Sequence, residues 1–97
     1  MQGFAEQKAV GGKLVKAQIE FGLVFEKVRF FGDFFLHPED TISAIEQSIA
    51  GLSSIAPKQE LEQKIAFVLA QNNAELVGAT ASDFAGVVLQ ARQNAKQ

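Results

Sequence analysis

Few residues in this chain have the types and spacing that chemistry needs. His37 is the single imidazole among 97 residues, and there is no cysteine. Nucleophilic catalysis needs a nucleophile, a base and usually an orienting group. Without a thiol there is no cysteine nucleophile, and one histidine offers one ligand where a zinc site needs several. His37 directly precedes Pro38, a position that suits a helix cap or surface residue, with a catalytic or ligand role as the alternative. Asp33 is the acid most closely surrounded by apolar residues, in Phe30-Phe31-Gly32-Asp33-Phe34-Phe35. It either caps the following turn through local backbone N–H groups or stands on a binding surface. Gly11-Gly12-Lys13 places two flexible backbone units before a lysine. That pattern holds an anion in some loops, but a phosphate loop has a longer signature with a helix behind it. Here a strand pattern follows, and a Gly-Gly pair also suits a two-residue hairpin turn in which both residues take positive φ.

These residues belong to a chain of one domain's length, 1–97. Hydrophobic content of 47% with 21% charge fits a folded domain rather than a disordered segment, and so short a chain is expected to have modest stability. The absence of cysteine excludes disulfides and thiolate metal sites. A net charge of −2 argues against nucleic acid, which is held by clustered Lys and Arg. Charge is unevenly placed: Lys8, Lys13, Lys16, Lys27 and Arg29 face four acids up to His37, whereas four basic residues face seven acids beyond it. No apolar run reaches the ~18–20 residues that span a bilayer, and the N-terminus lacks the layout of a signal peptide. No membrane association and a cytoplasmic location are therefore the expectations.

The elements that must position these residues change period at the aromatic joint. Residues 4–10 are weakly patterned and are expected at most to form an edge strand. Over 13–21, Val15, Ala17, Ile19 and Phe21 alternate with Lys16, Gln18 and Glu20, the period of a strand with one buried face. After Gly22, Val24, Val28 and Phe30 share one parity while Phe25, Lys27, Arg29 and Phe31 share the other, which predicts the second arm of an antiparallel hairpin. From His37 to Leu52 the apolar positions Ile42, Ile45, Ile49 and Leu52 form one helical stripe. Pro38, Glu39 and Asp40 suit its first turn, and Gly51 marks its end. Pro57 is expected to open a second helix striped by Leu61, Ile65, Val68 and Leu69. Asn72-Asn73 and Gly78 break it. Thr80 to Asp83 reads as a capping box before a third helix with Phe84, Val87, Val88 and Ala91 inward. Residues 93–97 are polar and expected to fray. Three striped helices and a sheet with one apolar face predict an α+β fold, a small antiparallel sheet of two to three strands covered on one face by about three helices.

Four of the nine phenylalanines lie in the joint 30–35. At strand spacing Phe25 and Phe31 point away from Val28 and Phe30, so the rings do not all enter one core. Some must be covered by a helix edge or by a partner, and a small domain with large apolar groups on both sheet faces is a candidate for docking.

The run Gly11-Gly12-Lys13-Leu14-Val15, then a hairpin, then Gly32-Asp33-Phe34-Phe35 before Pro38-Glu39 and an Ile-striped helix resembles the C-terminal accessory domain of lipoate–protein ligases. In some organisms that domain is a separate small subunit. The specific motifs fall between Gly11 and Gly51; the later helices match in order and length. The resemblance implies a heterodimer in which a large catalytic subunit holds lipoate, ATP and magnesium and this chain holds no cofactor. It implies that the small subunit is needed to activate lipoate to lipoyl-AMP, before transfer to a lysine of a lipoyl domain or a glycine-cleavage H protein. Gly11, Gly12 and Lys13 would face the large subunit, with Lys13 towards the carboxylate or phosphate side of the reaction. Gly32, Asp33, Phe34 and Phe35 would form or buttress the contact surface. The family also shares the SufE/NifU-like fold of iron–sulfur scaffolds and sulfur acceptors, whose functions require cysteines that this chain lacks. The alternative from the residues alone is a stand-alone protein-binding adaptor with no enzymatic partner.

Overall fold

The computed structural model describes residues 1–96. It runs β1 (Gln2–Lys8), β2 (Leu14–Phe21), β3 (Phe25–Gly32), β4 (Phe35–His37), α1 (Thr41–Ile49), α2 (Lys58–Gln71), β5 (Glu75–Val77) and α3 (Ala81–Gln93). Strands β1, β2 and β3 form an antiparallel meander in that order, and β4 pairs with β5 in a separate two-stranded ribbon. The expected α+β architecture is therefore present, with the ribbon as an addition. The first strand lies at Gln2–Lys8 rather than over 4–10.

The alternation in β2 works as read: Val15, Ala17, Ile19 and Phe21 are all buried. In β3 it does not hold throughout. Glu20 pairs with Lys27 but Phe21 pairs with Phe25, so one extra residue on β3, Glu26, forms a bulge. A bulge reverses the side-chain parity beyond it. Phe25 is thus fully buried alongside Val28 and Phe30, which corrects the expectation that it points outward; Phe31 does point outward.

Helix α3 packs on β1 and β2, α1 packs on β3, and α2 lies against α1 and α3. The inward stripe is Ile45 and Ile49 from α1, Leu61, Ile65 and Val68 from α2, and Phe84, Val87, Val88 and Ala91 from α3. The capping box is complete: Thr80 Oγ1 accepts from Asp83 N–H at 3.2 Å and the Asp83 carboxylate accepts from Thr80 N–H at 2.9 Å. Helix α1 starts later than the proline suggests. His37 is still in β4, and Pro38 to Asp40 form a turn whose carbonyls accept from Thr41, Ile42 and Ser43. It ends as expected, with Gly51 at φ +92° just past the last turn.

The loop after α1 closes the start of β3. Gly51 N–H donates to Phe25 O and Phe25 N–H to Leu52 O. Buried Ser54 donates its hydroxyl to Gly22 O at 2.6 Å, and Arg92 of α3 donates to the carbonyls of Ser54 and Ala56. The C-terminal residues are tied down rather than frayed. Lys96 and Gln2 exchange backbone hydrogen bonds and Asn94 donates its side chain to Phe4 O, because the free edge of β1 offers backbone groups that need partners. Gln97 lies outside the described residues.

Candidate docking end at the strand–helix joint

Three segments distant in sequence meet at one end of the sheet. The first is the β1–β2 turn. Ala9 N–H donates to Lys13 O and Gly12 N–H to Ala9 O, each at 2.8 Å. The loop is therefore the three residues Val10 to Gly12 rather than a two-residue turn. Only Gly12 has positive φ, at +85°, the left-handed residue that closes a three-residue hairpin. Gly11 serves a different need: a Cβ there would lie 3.2 Å from Gly78 O, so the hairpin tip presses on the second segment, the loop leaving β5. Lys13 lays its stem across that loop, where a Cβ on Gly78 would sit 2.6 Å from Lys13 Cγ. The Lys13 side chain is exposed.

The third segment is the bend 32–34. Gly32 has φ +147°, and a side chain there would run into the Leu14 carbonyl. Asp33 N–H donates to that same carbonyl at 2.9 Å. Gly32 is thus required by close approach as well as by conformation. The Asp33 carboxylate is exposed and makes no hydrogen bond among the described residues. The turn-capping role therefore has no bond to support it, and the backbone N–H of Asp33, not its side chain, holds the bend.

The phenylalanines divide by direction. Phe84 of α3 stacks on Phe30 with centroids 4.7 Å apart and meets Phe34 edge-on at 4.9 Å. Such offset and edge contacts stabilise by about 0.5–1.5 kcal/mol beyond area burial. Phe34 therefore buttresses the bend from inside. Phe35 faces out at 54% exposure beside its cross-strand partner Val77 at 51%, and its ring lies parallel to exposed His37, centroids 6.4 Å apart. The surface reading of His37 fits this position; the helix-cap reading does not, since His37 belongs to β4. Between Phe31, Phe34, Phe35 and Ile42 runs a shallow groove of about 310 Å³ with Glu39 on its rim.

The hairpin tip, the glycine bend and the β4–β5 ribbon therefore form one continuous end, so all seven residues singled out in the sequence lie together. Sequence reasoning missed Val77 and Gly78. Glu75-Leu76-Val77 does alternate exposed, half-buried, exposed, but three residues between Asn73 and Gly78 carry too short a pattern to read as a strand. Among the described residues no three His, Cys, Asp or Glu side chains come close enough to hold a metal ion, and no helix is long and apolar enough to cross a membrane.

Fold and site together define a small α+β domain with an apolar, glycine-shaped end. No family model matches the chain, and no curated protein matches it. A solved structure does: a chain from the structural analysis of an archaeal lipoylation system, a bi-partite lipoate protein ligase and its E2 lipoyl domain, from Thermoplasma acidophilum. The two superpose with a TM-score of 0.74 at 24% identity, covering 91% of this chain and 94% of that one. They share a fold over nearly their whole lengths.

Proposed function

We propose that this chain is the non-catalytic accessory subunit of a two-part lipoate–protein ligase. It docks through its glycine-shaped end on a separate catalytic subunit and is required there for ATP-dependent activation of lipoate to lipoyl-AMP. Transfer to a lysine of a lipoyl-acceptor protein follows on the large subunit. The observation that carries this reading is the near full-length match of the fold to a chain of a bi-partite ligase system. The end geometry supports it. Phe35 and Val77 are large, apolar and half-exposed on a ribbon braced by the Phe30–Phe84–Phe34 cluster, which is the form of a rigid contact surface. A domain that positions or closes over another subunit's site needs shape and a few polar groups rather than a nucleophile. Lys13, exposed on a fixed hairpin, is the polar group we assign to the carboxylate or phosphate side of the reaction. Lipoate, ATP and magnesium belong to the large subunit.

The test is to mix this chain with the catalytic subunit and measure lipoate- and ATP-dependent pyrophosphate release. Stimulation supports the subunit reading. No stimulation by the added chain overturns it, and absence of any complex with the catalytic subunit favours the stand-alone adaptor with no enzymatic partner.

A further inference from the structure

The outer face of the β1–β2–β3 sheet, opposite the helices, has properties that a merely solvated face does not need. Phe4 of β1 and Phe31 of β3 reach across β2 towards each other, ring centroids 6.2 Å apart, at 45% and 41% exposure. Lys16 of β2 holds its ammonium 5.9 Å from the Phe31 ring centre. Around this roof the same face carries Lys8, Lys16, Lys27 and Arg29 against only Glu6 and Glu20, whereas the rest of the chain has five basic residues against nine acids. The molecule is acidic but this face is basic. Lys27 and Glu20 approach at 3.9 Å; Lys16 and Arg29 have no ion-pair partner among the described residues. Glu46 of α1 lines the edge of this face beside Arg29 and Phe31, where its carboxylate accepts from Phe30 N–H at 2.8 Å. Finally, Phe31 lines both the groove at the docking end and a shallow depression on this face with Gln18 and Arg29. The two surfaces are therefore continuous.

We infer that the docking surface extends over this sheet face, where the Phe4–Phe31 roof and the cations Lys16 and Arg29 receive an acidic, apolar-centred face of the catalytic subunit. The inference rests on the subunit reading above and adds the partner's chemistry and three contact residues outside the motifs: Phe4, Lys16 and Arg29. Charge placed this way accelerates encounter and fixes orientation, while half-exposed rings supply the contact that desolvates on binding.

The experiment measures association of the catalytic subunit with the wild-type chain and with Lys16→Glu/Arg29→Glu, at low and high salt. Circular dichroism checks that each chain is folded. Lys58→Glu/Lys64→Glu, on exposed positions of α2, makes the same change in net charge on the helical side. We expect the sheet-face variant to weaken binding about ten-fold or more, mainly through slower association, with the difference shrinking at high salt. The α2 variant should stay within about two-fold, since distant exposed charges are screened. Phe31→Ala should weaken binding through faster dissociation. Equal affinity of the sheet-face variant and wild type overturns the inference while leaving the subunit reading intact. Equal weakening by both charge variants overturns it as well, because net charge then explains the effect. Two other occupants would also displace it: Phe31-dependent dimerisation of the free chain, or Phe31-dependent binding of a single-stranded oligonucleotide. A wild-type chain that neither binds nor stimulates the catalytic subunit sinks the subunit reading and this inference together.

Discussion

Neighbouring phenylalanines in the joint have opposite duties, and substitution separates them. Phe84 is fully buried between Phe30 and Phe34, so Phe84→Ala leaves a cavity that α3 and β3 cannot both collapse into. We expect a loss of about 3–5 kcal/mol in a denaturant titration. Phe35 is half-exposed; Phe35→Ala should change stability by no more than about 0.5 kcal/mol while weakening the complex with the catalytic subunit. A large loss of stability in that variant would show that Phe35 is structural. Lys13→Ala removes an exposed ammonium whose stem lies on Gly78. It should leave thermal unfolding nearly unchanged and lower pyrophosphate release by the assembled ligase; unaltered kinetics remove Lys13 from the site. The direction of each ring was only partly legible in the sequence. Phe31 could be placed by parity, but Phe25 could not, because the bulge at Glu26 reverses the alternation and leaves no residue signature such as glycine. Phe34 lies beyond the bend at Gly32, where strand parity no longer carries over.

Among the elements, the helices were the most legible, since each carries an apolar stripe at helical spacing and a recognisable stop. Helix α3 is the best defined, with its capping box closed in both directions. Thr80→Ala should cost about 1 kcal/mol, and the loss should appear as faster amide exchange in the first turn of α3; no change in stability would mean that tertiary packing alone holds the helix end. The ribbon β4–β5 was not legible. Its strands have three residues each and pair across nearly forty positions, so no local period announces them. It forms because Leu36 and Leu76 turn inward to the core, leaving Phe35 and Val77 outside. Its position matters for the site: the ribbon carries Gly78 to the hairpin tip, and so joins the Gly-Gly-Lys motif to the aromatic joint.

At the scale of the whole molecule, a sheet covered by helices on one side leaves the other side uncovered. The apolar core was predictable from the stripes, whereas the basic outer face emerges only when the register sets Lys16, Arg29, Phe4 and Phe31 side by side. The fold match over nearly the full length of two chains and the clustering of the seven motif residues at one end are the two observations behind the proposed subunit role. The most direct test is a titration of the catalytic subunit with this chain while lipoate- and ATP-dependent pyrophosphate release is followed. We expect release to rise and saturate as the chain approaches an equimolar amount, and to stay low when Phe35→Ala replaces the wild type at the same concentration. Release that is equally fast with and without the chain contradicts the assignment.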